Sequence, residues 1–296
     1  MLALPAALVD SAAMTGTLLS LGHGYSAAAL EPQLLAAGWT IIATTRSPEK
    51  LRAMQARGLE AMLWPGNALP LGRATHLLTS IAPRDGDPVL AAHGAEIAQA
   101  RHLAWIGYLS TVGVYGDRQG GWVDEDSARD GASARARARI KAEDDWQALC
   151  DAAGLRLHIF RLAGIYGPGR GPFEKLRDGR AQMVIKPGQV FSRIHRDDIA
   201  QALWLAMQSD LGSRAFNLCD DAPAPPQDVL RHAAGLLGIT PPPEVPFDQA
   251  ELSPMARSFY GDSKRVRNDR IKRELGLKLR HPDYQSGLAA ILRDEE

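Results

Sequence analysis

The stretch that most constrains this chain runs from Thr17 to Ser47 and reads TLLSLGHGYSAAALEPQLLAAGWTIIATTRS. An apolar run, Thr17 to Leu21, leads into Gly22-His23-Gly24-Tyr25-Ser26-Ala27. A segment rich in Ala and Leu follows, then Gly38, then a second apolar run from Trp39 to Thr44. The pattern predicts strand, glycine turn, helix, strand, with the glycines in the G-x-G-x-x-A spacing of a dinucleotide-binding turn. Gly22 permits the sharp exit from the strand, Gly24 lets a diphosphate approach the backbone, and Ala27 lets the helix pack close. The first N–H groups of the helix then face the phosphates. Tyr25 and Ser26 complete the set of expected cofactor contacts in the turn. Pro32 falls inside the predicted helix, where proline costs about 3 kcal/mol or kinks the chain.

Strand two ends on Thr45-Arg46-Ser47. An acid at this place binds the ribose hydroxyls of NAD. Arg46 with flanking hydroxyls suits a 2′-phosphate instead, because a guanidinium pairs with it and a carboxylate repels it. NADP is therefore the expected cofactor, with NAD as the other possibility.

Charge is balanced at 34 basic and 34 acidic residues over 296 positions, so no global field calls for nucleic acid or an anionic membrane. Cys150 and Cys219 stand far apart and are expected as buried free thiols in a reducing compartment. The opening MLALPAALVDSAAM lacks the basic residues of a signal peptide. Residues 1–13 are expected as a flexible extension, with Met14 a candidate start. A cytoplasmic protein acting on a small molecule is expected, with no nucleic-acid or membrane partner. No cluster has metal-ligand spacing, and neither a G-x-S-x-G elbow nor a Walker loop occurs.

Alternating strand and helix patterns continue to Leu162, with strands at 59–64, 75–79, 103–110 and 155–162 and helices at 48–58, 88–101 and 133–153. They predict an α/β, Rossmann-type doubly wound parallel sheet. Past Gly164 glycine and proline become dense, and a smaller C-terminal lobe is expected over the strand ends. The division reads 14–167 with 194–220 for the dinucleotide-binding domain, and 168–193 with 221–296 for the substrate lobe.

The glycine turn, LSTVGVYGD at 109–117, FRLAGIYGPGR at 160–170, IHRDDIAQAL at 194–203 and KRVRNDRIKRELG at 264–276 together resemble the extended short-chain dehydrogenase/reductases, relatives of nucleotide-sugar epimerases and dehydratases. The resemblance spans nearly everything from Thr17 on. It implies that Thr111, beside Ser110 and before the motif tyrosine Tyr115, binds the reacting carbonyl. Ser80, after strand four, and Ser110 join the expected cofactor contacts. The family also carries a Y-x-x-x-K pair on the next helix. Its lysine finds a match in Lys141, which places Arg137 at the tyrosine position. An arginine cannot serve as a general acid or base at neutral pH. The chain thus resembles atypical members that have lost the tyrosine.

On this reading Lys141 holds the nicotinamide ribose and Arg137 binds an anionic group of the substrate. Tyr166, Arg170 and His195 are further substrate candidates, and Tyr115, Tyr166 and His195 are proton donors by residue type. The resemblance implies an NADP-dependent oxidoreductase or epimerase-like enzyme on a small, anionic or sugar-like substrate. The alternative is a silent NADP-binding sensor or partner-binding module. Homodimers through the sheet-flanking helices are common in the family it resembles, so the resemblance allows one here.

Overall fold

The computed structural model describes residues 15–295. The expectations about residues 1–13 and Met14 lie outside the described residues. Five strands come first: β1 (Thr17–Leu21), β2 (Thr40–Thr45), β3 (Glu60–Leu63), β4 (His76–Thr79) and β5 (Trp105–Thr111). With Leu157–Leu162 and Arg214–Leu218 they form one seven-stranded sheet, parallel throughout. From one edge the order is Arg214–Leu218, Leu157–Leu162, β5, β4, β1, β2, β3. The inner strands are buried almost end to end, as strands covered by helices on both faces must be. This explains their unbroken apolar runs in the sequence.

The order reverses direction between β1 and β4, because the chain builds outward from β1 to β3 and then returns to the other side of β1. Open α/β sheets hold ligands at such a switch point, outside the carboxyl ends of the strands. The glycine turn leaves β1 at that place.

The helix after β1 is broken. It forms α1 (Tyr25–Ala28) and α2 (Glu31–Ala36), and Pro32 sits in the first turn of α2. A first-turn position has no intrahelical acceptor for its N–H, so the proline removes no bond. The long helix expected to run on from the turn is thus two short ones, and α1 carries only a small dipole. Then follow α3 (Pro48–Ala56), α4 (Pro88–Gln99) and α5 (Ala134–Ala153), each opened by a side-chain cap from Ser47, Asp87 and Ser133.

Short parallel pairs lie outside the main sheet: Gly164–Tyr166 with Arg193–His195, Met183–Ile185 with Glu244–Pro246, and Trp122–Val123 with Arg265–Val266. Runs of two or three residues carry no readable periodicity, so the sequence did not announce them. A separate apolar cluster joins Tyr166, Phe173, Leu176, Ala233, Tyr284 and Leu288 beyond the sheet. Both cysteines are buried free thiols. No described helix is long and apolar enough to cross a membrane.

Candidate functional site

The glycine turn is pinned on both sides. Gly22 donates its N–H to Thr44 Oγ1 at 2.9 Å, and His23 donates its own to the Thr44 carbonyl at 2.9 Å. From the other side Ser80 N–H donates to the Leu21 carbonyl at 3.0 Å, and the Ser80 hydroxyl donates to the carbonyl of Gly22. Gly22 has φ +73°, and a Cβ there would stand 2.7 Å from Ile81 Cγ1, so both backbone and space demand glycine. Gly24 differs. A Cβ built on it meets nothing nearer than the Gly22 carbonyl at 3.7 Å, and the residue is exposed. The protein's own packing leaves that stretch of backbone bare, which fits the approach of a diphosphate. Ala27 is buried against the sheet as the spacing predicts.

The His23 ring is buried and carries the turn. Its Nδ1 lies 2.8 Å from Ser20 Oγ and its Nε2 2.8 Å from Glu31 Oε1. Arg57 then donates to Glu31 at 3.0 and 3.3 Å. No sequence motif marks this chain of contacts.

At the end of β2, Thr45 Oγ1 accepts from Ser47 N–H at 3.2 Å, and Ser47 Oγ accepts from Lys50 N–H at 3.2 Å as the cap of α3. Arg46 between them is exposed and pairs with no acid among the described residues. The arrangement presents one free cation and two locally fixed hydroxyls.

Around the end of β5 the expected residues separate. Thr111 Oγ1 accepts from Gly113 N–H at 3.1 Å, which leaves its hydroxyl proton free to donate. Ser110, expected beside the cofactor, is buried and donates instead to Glu143. Glu143 is fully buried and also accepts from Arg161 Nη2 at 2.9 Å and Arg129 Nη1 at 3.2 Å. Tyr115 Oη donates to Asn217 Oδ1 at 2.7 Å and accepts from Arg161 Nη1 at 2.8 Å. Burial, only partly opposed by Arg161, pushes this phenol up to about 12. Tyr115 is a structural post.

The pair expected on α5 points away from the sheet. Arg137 is exposed and turns back to the Ala132 carbonyl; Lys141 is exposed and pairs with Asp145 at 2.7 Å on its own helix. The inward register of α5 runs through Ala136, Arg139, Glu143, Trp146 and Cys150. Positions 137 and 141 each lie two residues from Arg139, about 200° around the helix. The residue that reaches the sheet is Arg139, whose Nη1 donates to the Leu109 carbonyl and to Tyr108 Oη, both at 2.9 Å. Four residues earlier, Arg135 donates to Ser258 Oγ at 2.7 Å and lies 5.2 Å from the Phe259 ring. Arg135 and Arg139 have the same i,i+4 spacing as a Y-x-x-x-K pair and lie in step with Glu143. The buried acid was the signal that sequence reasoning missed, because it fixes which face of ARARARIK turns inward.

Of the other proton-donor candidates Tyr166 is occupied, whereas His195 is engaged at Nδ1 and its buried Nε2 has no partner among the described residues. Tyr166 is buried, its hydroxyl donates to the Asp283 carbonyl at 3.2 Å, and burial raises its pKa. Gly287 packs so tightly that a Cβ there would stand 2.1 Å from Tyr166 Oη. His195 is buried and caps the helix Arg196–Gln208, its Nδ1 accepting from Asp197 N–H at 3.3 Å. Burial and the neighbouring His281 lower it to about 4, so the ring is neutral. Asp197 Oδ2 stands 3.7 Å from His195 Nδ1 and 3.9 Å from His281 Nε2. The His195 lone pair is directed at the helix, so the trio reads as a capping cluster. Arg170 is exposed and lies over Tyr25, near the glycine turn.

No family model matches the chain. A conserved protein from Silicibacter pomeroyi DSS, described as functionally unknown, is 54% identical, with a TM-score of 0.90 over 94% of this chain and 99% of that one. Protein YeeZ of Escherichia coli K12 is 27% identical over 88% of this chain and 95% of its own. A 3-diazoavenalumate denitrifying reductase of a Streptomyces species is 26% identical over 93% and 94%. The human epimerase family protein SDR39U1 (isoform 2), solved with NADPH, is 18% identical with a TM-score of 0.70 over 95% of this chain and all of that one. The last likeness establishes the shared α/β fold.

Proposed function

The chain belongs to the same family as the conserved Silicibacter pomeroyi protein, and on that footing we propose that it is an NADP-dependent reductase of a small anionic substrate. The observation that carries the reading is the bare backbone at Gly24, set at the switch point of the sheet beside the unpaired Arg46. Gly22, Gly24, Tyr25, Ser26 and Ala27 hold the diphosphate. Thr45, Arg46 and Ser47 take the 2′-phosphate, with Arg46 providing the charge. Ser80 acts indirectly, by fixing the turn.

When bound, NADPH supplies a hydride from its nicotinamide. The residues of this chain orient and stabilise. The Thr111 hydroxyl donates to the acceptor oxygen or equivalent group of the substrate. Arg139, already anchored on β5, takes the place of the family lysine beside the cofactor ribose, and Arg135 extends the positive edge toward an anionic substrate. Tyr115, Tyr166 and His195 are all engaged or neutral, which favours a reaction whose proton comes from water and whose developing negative charge is met by arginines. The Streptomyces relative is named a 3-diazoavenalumate denitrifying reductase, which supports reduction over epimerisation. The substrate sits under the lobe of residues 168–193 and 221–296, and a homodimer through sheet-flanking helices is part of the proposal.

The test is NADPH oxidation by purified protein against a panel of small aromatic and keto acids, with sugar nucleotides as comparison. Turnover confined to sugar nucleotides would move the reading to an epimerase. NADPH binding without turnover of any of them would favour the silent sensor, for which the occupied proton donors speak.

A further inference from the structure

Tyr25, in the glycine turn, carries two guanidinium groups on one ring. Arg170 Cζ lies 5.5 Å from the ring centroid and Arg196 Cζ 5.2 Å. The two come from separate places: Arg170 from the loop after the strand Gly164–Tyr166, and Arg196 from the first turn of the helix Arg196–Gln208. The assembly is built. Tyr25 Oη donates to the Pro168 carbonyl at 3.0 Å. Gly167 has φ +154°, and a Cβ on it would stand 2.5 Å from Tyr25 Oη and 3.0 Å from Arg196 Cγ. The loop passes where only a glycine fits.

The charges do not close on themselves. Arg170 has no side-chain partner among the described residues. The carboxylate nearest Arg196 belongs to its chain neighbour Asp197, at 3.5 Å, and is shared with His281. The atom that faces Asp197, Arg196 Nε, is buried and makes no hydrogen bond at that distance. A cation over a half-buried ring such as Tyr25 gains on the order of 1 kcal/mol, which does little by itself to offset the repulsion of two like charges collected in one place. An anion is the element that completes the group.

We infer that Arg170 and Arg196 clamp the diphosphate of the dinucleotide over the glycine turn, with Tyr25 as the platform that spaces them. This rests on the dinucleotide reading given above. The clamp joins the turn of the first β-α-β unit to the loop 167–170, so cofactor binding organises the edge of the substrate lobe.

The test is equilibrium titration of wild type, Arg170→Ala, Arg196→Ala and the double variant with NADPH and with adenosine 2′-monophosphate, which lacks the diphosphate. Each arginine removed weakens NADPH about tenfold, and the lysine variants recover part of the loss. Adenosine 2′-monophosphate affinity stays unchanged, and hydrogen exchange at 167–170 slows on NADPH addition in wild type alone. Wild type binding NADPH with the variants equal to it would overturn the clamp alone. Equal losses for both nucleotides would also overturn it, by showing a general field. Wild type binding neither would overturn the dinucleotide reading and the clamp with it.

Discussion

Arg139 donates to the Leu109 carbonyl at 2.9 Å, and through that bond α5 presents an arginine at the end of β5. Lys141, two residues on, turns away to Asp145. Arg139→Ala is therefore expected to lower kcat/KM and cofactor affinity by about tenfold or more, the loss of one charge-assisted contact. Lys141→Ala should leave both within about twofold, since an exposed i,i+4 pair contributes only about 0.3–0.5 kcal/mol. Steady-state kinetics on the two variants decide between the registers.

Gly24→Ala separates folding from binding. The added methyl meets no atom of the protein nearer than 3.7 Å, so thermal stability should change by no more than about 1 kcal/mol. NADPH affinity should fall at least tenfold, because the methyl occupies the approach of the diphosphate. Gly22→Ala should instead lower stability, since φ +73° and the contact with Ile81 both resist a side chain. Melting curves with and without NADPH read both effects.

Glu143→Gln should be strongly destabilising. The carboxylate is fully buried and balances Arg161, whose side chain is 6% exposed. Removing the charge strands a buried guanidinium, a loss of about 3–5 kcal/mol. Urea unfolding monitored by tryptophan fluorescence measures it.

The fold was legible because burial on both faces writes itself into a strand. β1, β2, β4 and β5 appear as apolar runs punctuated by Gly, Pro and capping residues, and the helices predicted at 48–58, 88–101 and 133–153 match the observed ones within a few residues. The site was less legible. Arg137 and Lys141 satisfy the expected spacing as well as Arg135 and Arg139 do, and helical composition alone cannot say which face turns inward. Glu143 decides it, but its role depends on Arg161, eighteen residues later on a neighbouring strand. His23 shows the same limit, since its partners Ser20 and Glu31 carry no motif.

Burial lowers His76, His158 and His195 from 6.5 to about 4. Between those values the unfolded chain binds more protons, so their contribution to stability is present above pH 6.5 and is lost as pH falls toward 4. Asp220 acts in the opposite sense: burial raises it to about 7, so its contribution grows as pH falls from 7 toward its ordinary value. Asp220→Asn removes that offset. The variant should be more stable than wild type above pH 7 and should lose stability more steeply between pH 7 and 5. Urea midpoints at pH 8, 6.5 and 5 check the sign.

The proposed 2′-phosphate contact rests on Arg46, exposed at the end of β2. Arg46→Asp should reverse the preference for NADPH over NADH by repelling the phosphate and accepting from the ribose hydroxyls. The most direct measurement for the whole account is titration of the wild-type protein with NADPH and NADH side by side. Saturable binding with NADPH at least tenfold tighter is the predicted result. A preference for NADH, or no saturable binding of either nucleotide, would contradict it.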